Sequence, residues 1–164
     1  MTTHSTQDEL MMRLALEEAA KAPAIGEIPI GAVIVREGQI LAKAHNYREI
    51  WQDPTAHAEI VAIRAAASAL GSWRLIDTTL YVTVEPCAMC MGALMLARIP
   101  RLVFGTRDPK AGACGSVVDL SIESRLNHQV LVTGGVLEEE CQVLLQHFFR
   151  RLRADTVETN SPST

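Results

Sequence analysis

The chain has 164 residues, 48% of them hydrophobic, 21% charged and 4% aromatic, with a formal net charge of −4. That length and balance suit one globular domain with a core of Ala, Leu, Val and Ile, and exclude a disordered or fibrous chain. No apolar run approaches the roughly 18 residues of a membrane span, and MTTHSTQDEL lacks the layout of an export signal, so a cytoplasmic location is expected. A mildly acidic total also argues against a generic polyanion binder, so any nucleic-acid role needs a local basic patch.

Residues 1–5 read as a polar tail. The first helix is predicted to begin at Thr6, where Thr6 and Glu9 fit a capping box and Leu10, Met11 and Leu14 form one face. PIGAVIVREGQILAKA predicts a hairpin: a strand over 30–35, a turn at Glu37-Gly38, and a return through Ile40 and Leu41. AEIVAIRAAASAL is an Ala-rich helix pattern closed by Gly71. LYVTV, residues 80–84, is the short apolar run of a buried strand, and CAMCMGALMLARI follows as a helix apolar on most sides and therefore buried. Residues 101–104 and 129–133 are two further strand candidates. A last helix is predicted over 136–152 with Leu137, Cys141, Leu144, Leu145 and Phe148 inward. Glu138 to Glu140 at its start and Arg150 and Arg151 at its end match the helix dipole. Residues 154–164 read as a second polar tail, leaving one domain over 6–153. The order of elements implies a three-layer α/β/α sandwich with helices on both faces of a mixed five-stranded sheet.

Within this frame the run EPCAMC places Cys87 and Cys90 three positions apart after Pro86. That spacing serves a disulfide, a redox pair or half of a metal site. A reducing compartment argues against a structural disulfide, but a redox pair and a metal pair both gain from thiolates at a helix N-terminus. Cys-x-x-Cys alone decides nothing. Of the other cysteines, Cys114 has no partner spacing and Cys141 falls on a helix stripe, as a buried structural thiol would.

The segment HAEI separates the alternatives by adding His57 and Glu59 at the head of the preceding helix. His57, Cys87 and Cys90 make three zinc ligands, one short of a closed structural site, and the open position leaves room for an activated water. Glu59 is then the proton carrier beside it and not a fourth ligand. Two residues apart on a regular helix do not face each other, so His57 and Glu59 must converge at the helix entrance, with Asp53 or Thr55 as the expected cap. Together these residues form H-x-E…P-C-x-x-C, the zinc deaminase signature.

HAEI, EPCAMCMGA, VFGTRDPKAGACGSVVD and GGVLEEECQVLLQHFFRRLR resemble the bacterial tRNA-specific adenosine deaminases of the cytidine/deoxycytidylate deaminase superfamily, over about residues 6–153. The resemblance implies the cytidine deaminase-like fold, a homodimer with one zinc per subunit, and conversion of the wobble adenosine of a tRNA anticodon stem-loop to inosine by water attack at C6. His57, Cys87 and Cys90 match the metal ligands and Glu59 the proton carrier. Asn46 matches a position that hydrogen-bonds the flipped base, Asp108 and Lys110 a loop near the anticodon, and Phe149 with the arginines after it a terminal helix bordering the RNA. Arg98, Arg101, Arg107, Lys110, Arg150, Arg151 and Arg153 are the candidate basic face. Three other readings stand beside this one: a deaminase of a free base, nucleoside or nucleotide of the guanine or deoxycytidylate type, a zinc-stabilised RNA-binding module without turnover, and a thiol oxidoreductase.

Overall fold

A computed structural model describes residues 4–159 of the chain. Five strands form one mixed sheet in the order β2-β1-β3-β4-β5. They are β1 (Gly31–Arg36), β2 (Gln39–His45), β3 (Thr78–Val84), β4 (Arg101–Thr106) and β5 (Leu131–Thr133). β1 pairs antiparallel with both β2 and β3, whereas β3, β4 and β5 run parallel. The helices are α1 (Thr6–Lys21), α2 (Arg48–Trp51), α3 (Ala58–Leu70), α4 (Ala88–Leu96) and α5 (Glu138–Thr159). None of them is long and apolar enough to cross a membrane.

The hairpin turns where the sequence predicts it, with Glu37 at φ 49° and Gly38 at φ 77°, the twist that matches two right-handed strands. A bulge between Ile34 and Val35 then shifts the register, so that Ile34 faces Ala42 and Val35 faces Ile40. The sandwich is the expected one. Over one face, α3 and α4 close a core of Ala32, Ile34, Ala62, Leu80, Met91, Leu94 and Phe104. Over the other, Met12 and Ala15 of α1 and Cys141 of α5 cover Val33, Tyr81 and Val103. At Gly31 the approach of α1 is so close that a Cβ would collide with the carbonyl of Ala15.

Several predicted boundaries shift. The cap of α1 is Ser5, whose side chain accepts from Asp8 N, and not Thr6. The buried face of α1 is Asp8, Met12, Ala15 and Ala19, while Leu10 is exposed. The reason is an ion pair that pattern alone does not show: Arg101 donates twice to the Asp8 carboxylate, at 2.8 Å each, and Tyr81 Oη adds a third bond at 3.0 Å. The helix is rotated to deliver this acid to the sheet. α5 continues through residues 154–159, where the sequence predicts the end of order, so Arg150 and Arg151 lie mid-helix and not in its last turn. The first and last parts of the two predicted tails, residues 1–3 and 160–164, lie outside the described residues. Of the predicted inward side chains of α5 only Cys141 is fully buried, and Leu144, Leu145 and Phe148 are half-buried. The short helix α2, between β2 and α3, has no counterpart in the sequence reading.

Candidate active site

The three predicted ligands meet. His57 Nδ1 lies 3.7 Å from Cys87 Sγ and 3.5 Å from Cys90 Sγ, and the donor atoms of all three lie within 4.8 Å of one another. Local backbone explains how. His57 is the N-cap of α3, extended at φ −70° and ψ 153°, and Cys87 is the N-cap of α4 at φ −74° and ψ 174°. Their carbonyls accept the first helical bonds, from Val61 N at 3.0 Å and Met91 N at 2.9 Å. An N-cap side chain folds back over the first helical turn, toward N2 and N3. That conformation keeps His57 out of the regular helical turns, which is what its spacing of two from Glu59 requires.

The capping groups differ from those expected. Pro86 precedes the cap of α4 and is not its first helical residue. Asp53 and Thr55 do not cap α3. They close a turn of their own, in which Asp53 Oδ1 accepts from Thr55 N at 2.8 Å and Thr55 Oγ1 at 2.7 Å. The first amide of α3 is instead met by buried Asn46, whose Oδ1 accepts from Ala58 N at 2.9 Å. This bond orients Asn46 with its amide NH2 as the remaining donor. Two helix heads aimed at one point concentrate positive dipole ends there, which favours thiolate.

Glu59 is 4% exposed and stands outside the three-donor cluster. Burial pushes its carboxyl up to about 7, against the opposing pull of its own helix amide and of His57. Contact with Cys90 also lowers it, but burial prevails. The Cys87 thiol is pushed down, first by its hydrogen bond with Cys90 and then by His57. Cys90 is pushed up by the same contact and by burial. His57 is raised, chiefly by its bond to Cys87. One imidazole and two sulfurs form a soft donor set of the catalytic-zinc kind, and among the described residues no fourth His, Cys, Asp or Glu joins it. The residues fit a zinc ion with an open position.

The organiser that the sequence reading missed is Glu85. It is 2% exposed, and its carboxylate gathers the loop after β4. Oε1 accepts from Cys114 N at 3.0 Å and Ser116 N at 3.1 Å, and Oε2 accepts from Asp108 N at 3.0 Å and from Ser116 Oγ. Burial works to raise its pKa, but these bonds prevail and hold it below the usual carboxylate range. Gly112 leaves room for this carboxylate, which a Cβ there would strike. Ala113 N also donates to Pro86 O at 2.8 Å, so the loop is stitched to the segment that carries Cys87. An acid directly before Pro86 was the available signal.

Asp108 and Lys110 lie on that loop. The Asp108 carboxylate is occupied in a turn, accepting from Lys110 N at 3.0 Å and Ala111 N at 3.2 Å. Lys110 lines a cavity of about 700 Å³ with Arg107, Phe149, Arg150 and Arg153. Phe149 is 38% exposed there, edge-on to Phe148 with ring centroids 5.4 Å apart. The predicted basic face is therefore smaller than expected. Arg101 is consumed by Asp8, and Arg98 is turned back onto the end of α4, its guanidinium donating to Met95 O at 3.0 Å. Arg151 lines a separate groove against α1. Cys141 is buried against β4, its thiol pushed up to about 12 by burial, as a structural cysteine should be.

Comparison with known proteins places this geometry. The profile of the MafB19-like deaminases matches residues 6–153. A tRNA-specific adenosine deaminase of Bacillus subtilis is 55% identical over 148 residues, covering 90% of this chain and 92% of its own. A solved structure from work on A-to-I editing by tRNA:A34 deaminases at the wobble position superposes with a TM-score of 0.80 at 45% identity, over 83% of this chain and 99% of that one. The guanine deaminase of Bacillus subtilis is 40% identical with a TM-score of 0.58, over 60% of this chain and 64% of that one. The chain belongs to the MafB19-like deaminases and, within them, to the family of the bacterial tRNA-specific adenosine deaminases.

Proposed function

We infer that the protein hydrolyses adenosine to inosine at the wobble position of a tRNA anticodon. The observation that carries this is a buried carboxylate, Glu59, placed beside a three-donor N/S/S cluster without joining it. A structural metal site has no use for such an acid. His57, Cys87 and Cys90 would hold one zinc per subunit, which supplies the Lewis acidity that lets water lose a proton near neutrality. Glu59 takes that proton at its carboxylate and gives it to the adenine ring nitrogen next to C6 as the water oxygen adds to C6; it then passes that oxygen's remaining proton to the amino group, and the C6–N bond breaks to release ammonia. Adenosine and water become inosine and ammonia. Asn46, fixed by Ala58 N, offers its amide NH2 to the base.

RNA, as opposed to a free base, is favoured by the open basic cavity of Lys110, Phe149, Arg150 and Arg153 between the loop after β4 and α5. The family relationship supports the same choice, because the tRNA:A34 deaminase structure is matched over far more of both chains than the guanine deaminase. Residues 6–153 constitute the deaminase domain in this reading. The protein acts as a homodimer in the cytoplasm, away from membranes, and exposed Trp73, Ile76 and Leu96 are available to the second copy.

The test is incubation of the zinc-loaded protein with an anticodon stem-loop, with ammonia and inosine both measured, the latter as A read as G in cDNA. Conversion of the stem-loop but not of guanine or cytidine is expected. Guanine turnover with an untouched stem-loop would replace this reading with the free-base one.

A further inference from the structure

Between Asn46 and His57 the chain makes an excursion whose two ends are pinned at the active site. Asn46 Oδ1 accepts from Ala58 N at 2.9 Å, and Tyr47 N donates to Ala56 O at 3.0 Å. The excursion contains α2, which is closed by Gln52 in the left-handed region at φ 49°. It is held from within by Glu27, 1% exposed, whose Oε1 accepts from Ile50 N at 2.8 Å.

Three rings stack on this support. His45 and Tyr47 have centroids 4.4 Å apart at an interplanar angle of 27°, and Tyr47 and Trp51 lie 4.4 Å apart at 10°. Burial falls along the stack: His45 is buried, Tyr47 half-buried, and Trp51 50% exposed. Tyr47 is the one ring partner of Trp51 among the described residues, so the indole has one covered face and one facing water. The bonds from Tyr47 N to Ala56 O and from Ala58 N to Asn46 Oδ1 bracket His57 and so set α2, with Arg48 in it, beside the site. The contact of Arg48 with Glu49 is a loose 4.0 Å, so the guanidinium remains available to a phosphate.

A rigid, half-wet indole at the end of a parallel ring stack matches what an unstacked nucleobase needs, since every base has a π-face. Loop bases splayed from RNA are received on aromatic side chains in this way. We propose that Tyr47 and Trp51 form a base-stacking platform for the nucleotide that neighbours the target adenosine, with Arg48 on its phosphate. The proposal rests on the RNA substrate assigned above and adds a second base-binding position to it. A platform set by stacking accepts any base, so it grips the loop without reading its sequence.

The chain has two tryptophans, and Trp73 lies in the loop after α3 against the Arg74 guanidinium, 4.1 Å from its ring centroid. Trp73→Phe therefore leaves Trp51 as the sole indole emitter. The zinc-loaded variant is titrated with an anticodon stem-loop, and with copies made abasic on the 5′ or the 3′ side of the target adenosine. Quenching by the intact stem-loop, and its loss with one abasic copy, are expected. Trp51→Ala should raise KM roughly tenfold with kcat nearly unchanged. Trp51→Leu, which keeps apolar bulk without a π-face, should behave as Ala, and Trp51→Phe should recover most of the loss. Equal quenching by all three RNAs, or an unchanged KM for Trp51→Ala while the wild type makes inosine, overturns the platform and leaves the substrate reading standing. Emission that shifts with protein concentration in the absence of RNA assigns the indole to a second copy of the chain and also overturns it. A wild type that makes no inosine withdraws both.

Discussion

The two faces of the sheet are held together differently. On the α3/α4 side, helix head and loop are locked by buried polar groups: Asn46 on Ala58 and Glu85 on the loop after β4. On the other side α1 is tied to the sheet by one ion pair, Asp8 with Arg101, and α5 touches the core fully only through Cys141. A metal site tolerates little displacement of its donors, so its supports must be stiff. A helix that borders an open cavity has no such demand. The difference separates the part of the molecule that carries the three-donor cluster from the part that borders the open basic cavity.

The largest effects should come from the stiff side. Glu59→Gln is expected to lower kcat by roughly 10²–10⁴-fold while metal analysis still finds about one zinc per chain. If turnover survived, the proton would have to travel by another group. Cys90→Ala should remove both activity and zinc, because the buried thiol is one of the three donors that cluster among the described residues.

Glu85→Ala sharpens the contrast by attacking a support and not the centre. It leaves the amides of Asp108, Cys114 and Ser116 without their acceptor, at about 1–3 kcal/mol for each buried group. A fall in thermal midpoint together with a raised KM for the stem-loop is expected. Loss of zinc without a change in KM would place Glu85 in service of the metal pair instead.

On the other face, Asp8→Asn should cost about 1.5–3 kcal/mol in denaturant melts, as for hydrogen bonds to charged groups, with kcat unchanged. The pH dependence has a definite sign. The Arg101 guanidinium holds the Asp8 carboxyl below its ordinary value of 3.8, so its stabilisation is present above that value and is lost as pH falls through the lowered one. The wild-type advantage over Asp8→Asn should therefore be constant at neutral pH and vanish in strong acid. The smallest effect is expected where α1 and α5 meet at the surface. Glu140→Ala breaks the exposed 3.0 Å pair with Arg13 and should move stability by no more than about 0.5 kcal/mol.

How much of this was legible in the chain differs by element. The hairpin, β3, α3 and its Gly71 stop follow from local rules, since a left-handed turn and a helix C-cap are chosen by residues a few positions apart. The α2 turn was not legible, because its four residues have no period to read and are held by Glu27, far off in sequence. The rotation of α1 was also hidden, as its cause is Arg101, 93 positions away.

The active site divides along the same line. Residue type and spacing by themselves picked out His57, Cys87 and Cys90 as a donor set and Glu59 as an acid beside it, because thiolate, imidazole and carboxylate chemistry belongs to the side chains, and the three donors do cluster. Tertiary structure alone decided that His57 and Cys87 occupy the caps of two helices, that Asn46 holds the head of α3 and Glu85 the loop after β4, and that the basic face is reduced to Arg107, Lys110, Arg150 and Arg153. Orientation and charge pairing depend on partners that only folding brings within hydrogen-bond reach, and no local pattern encodes them.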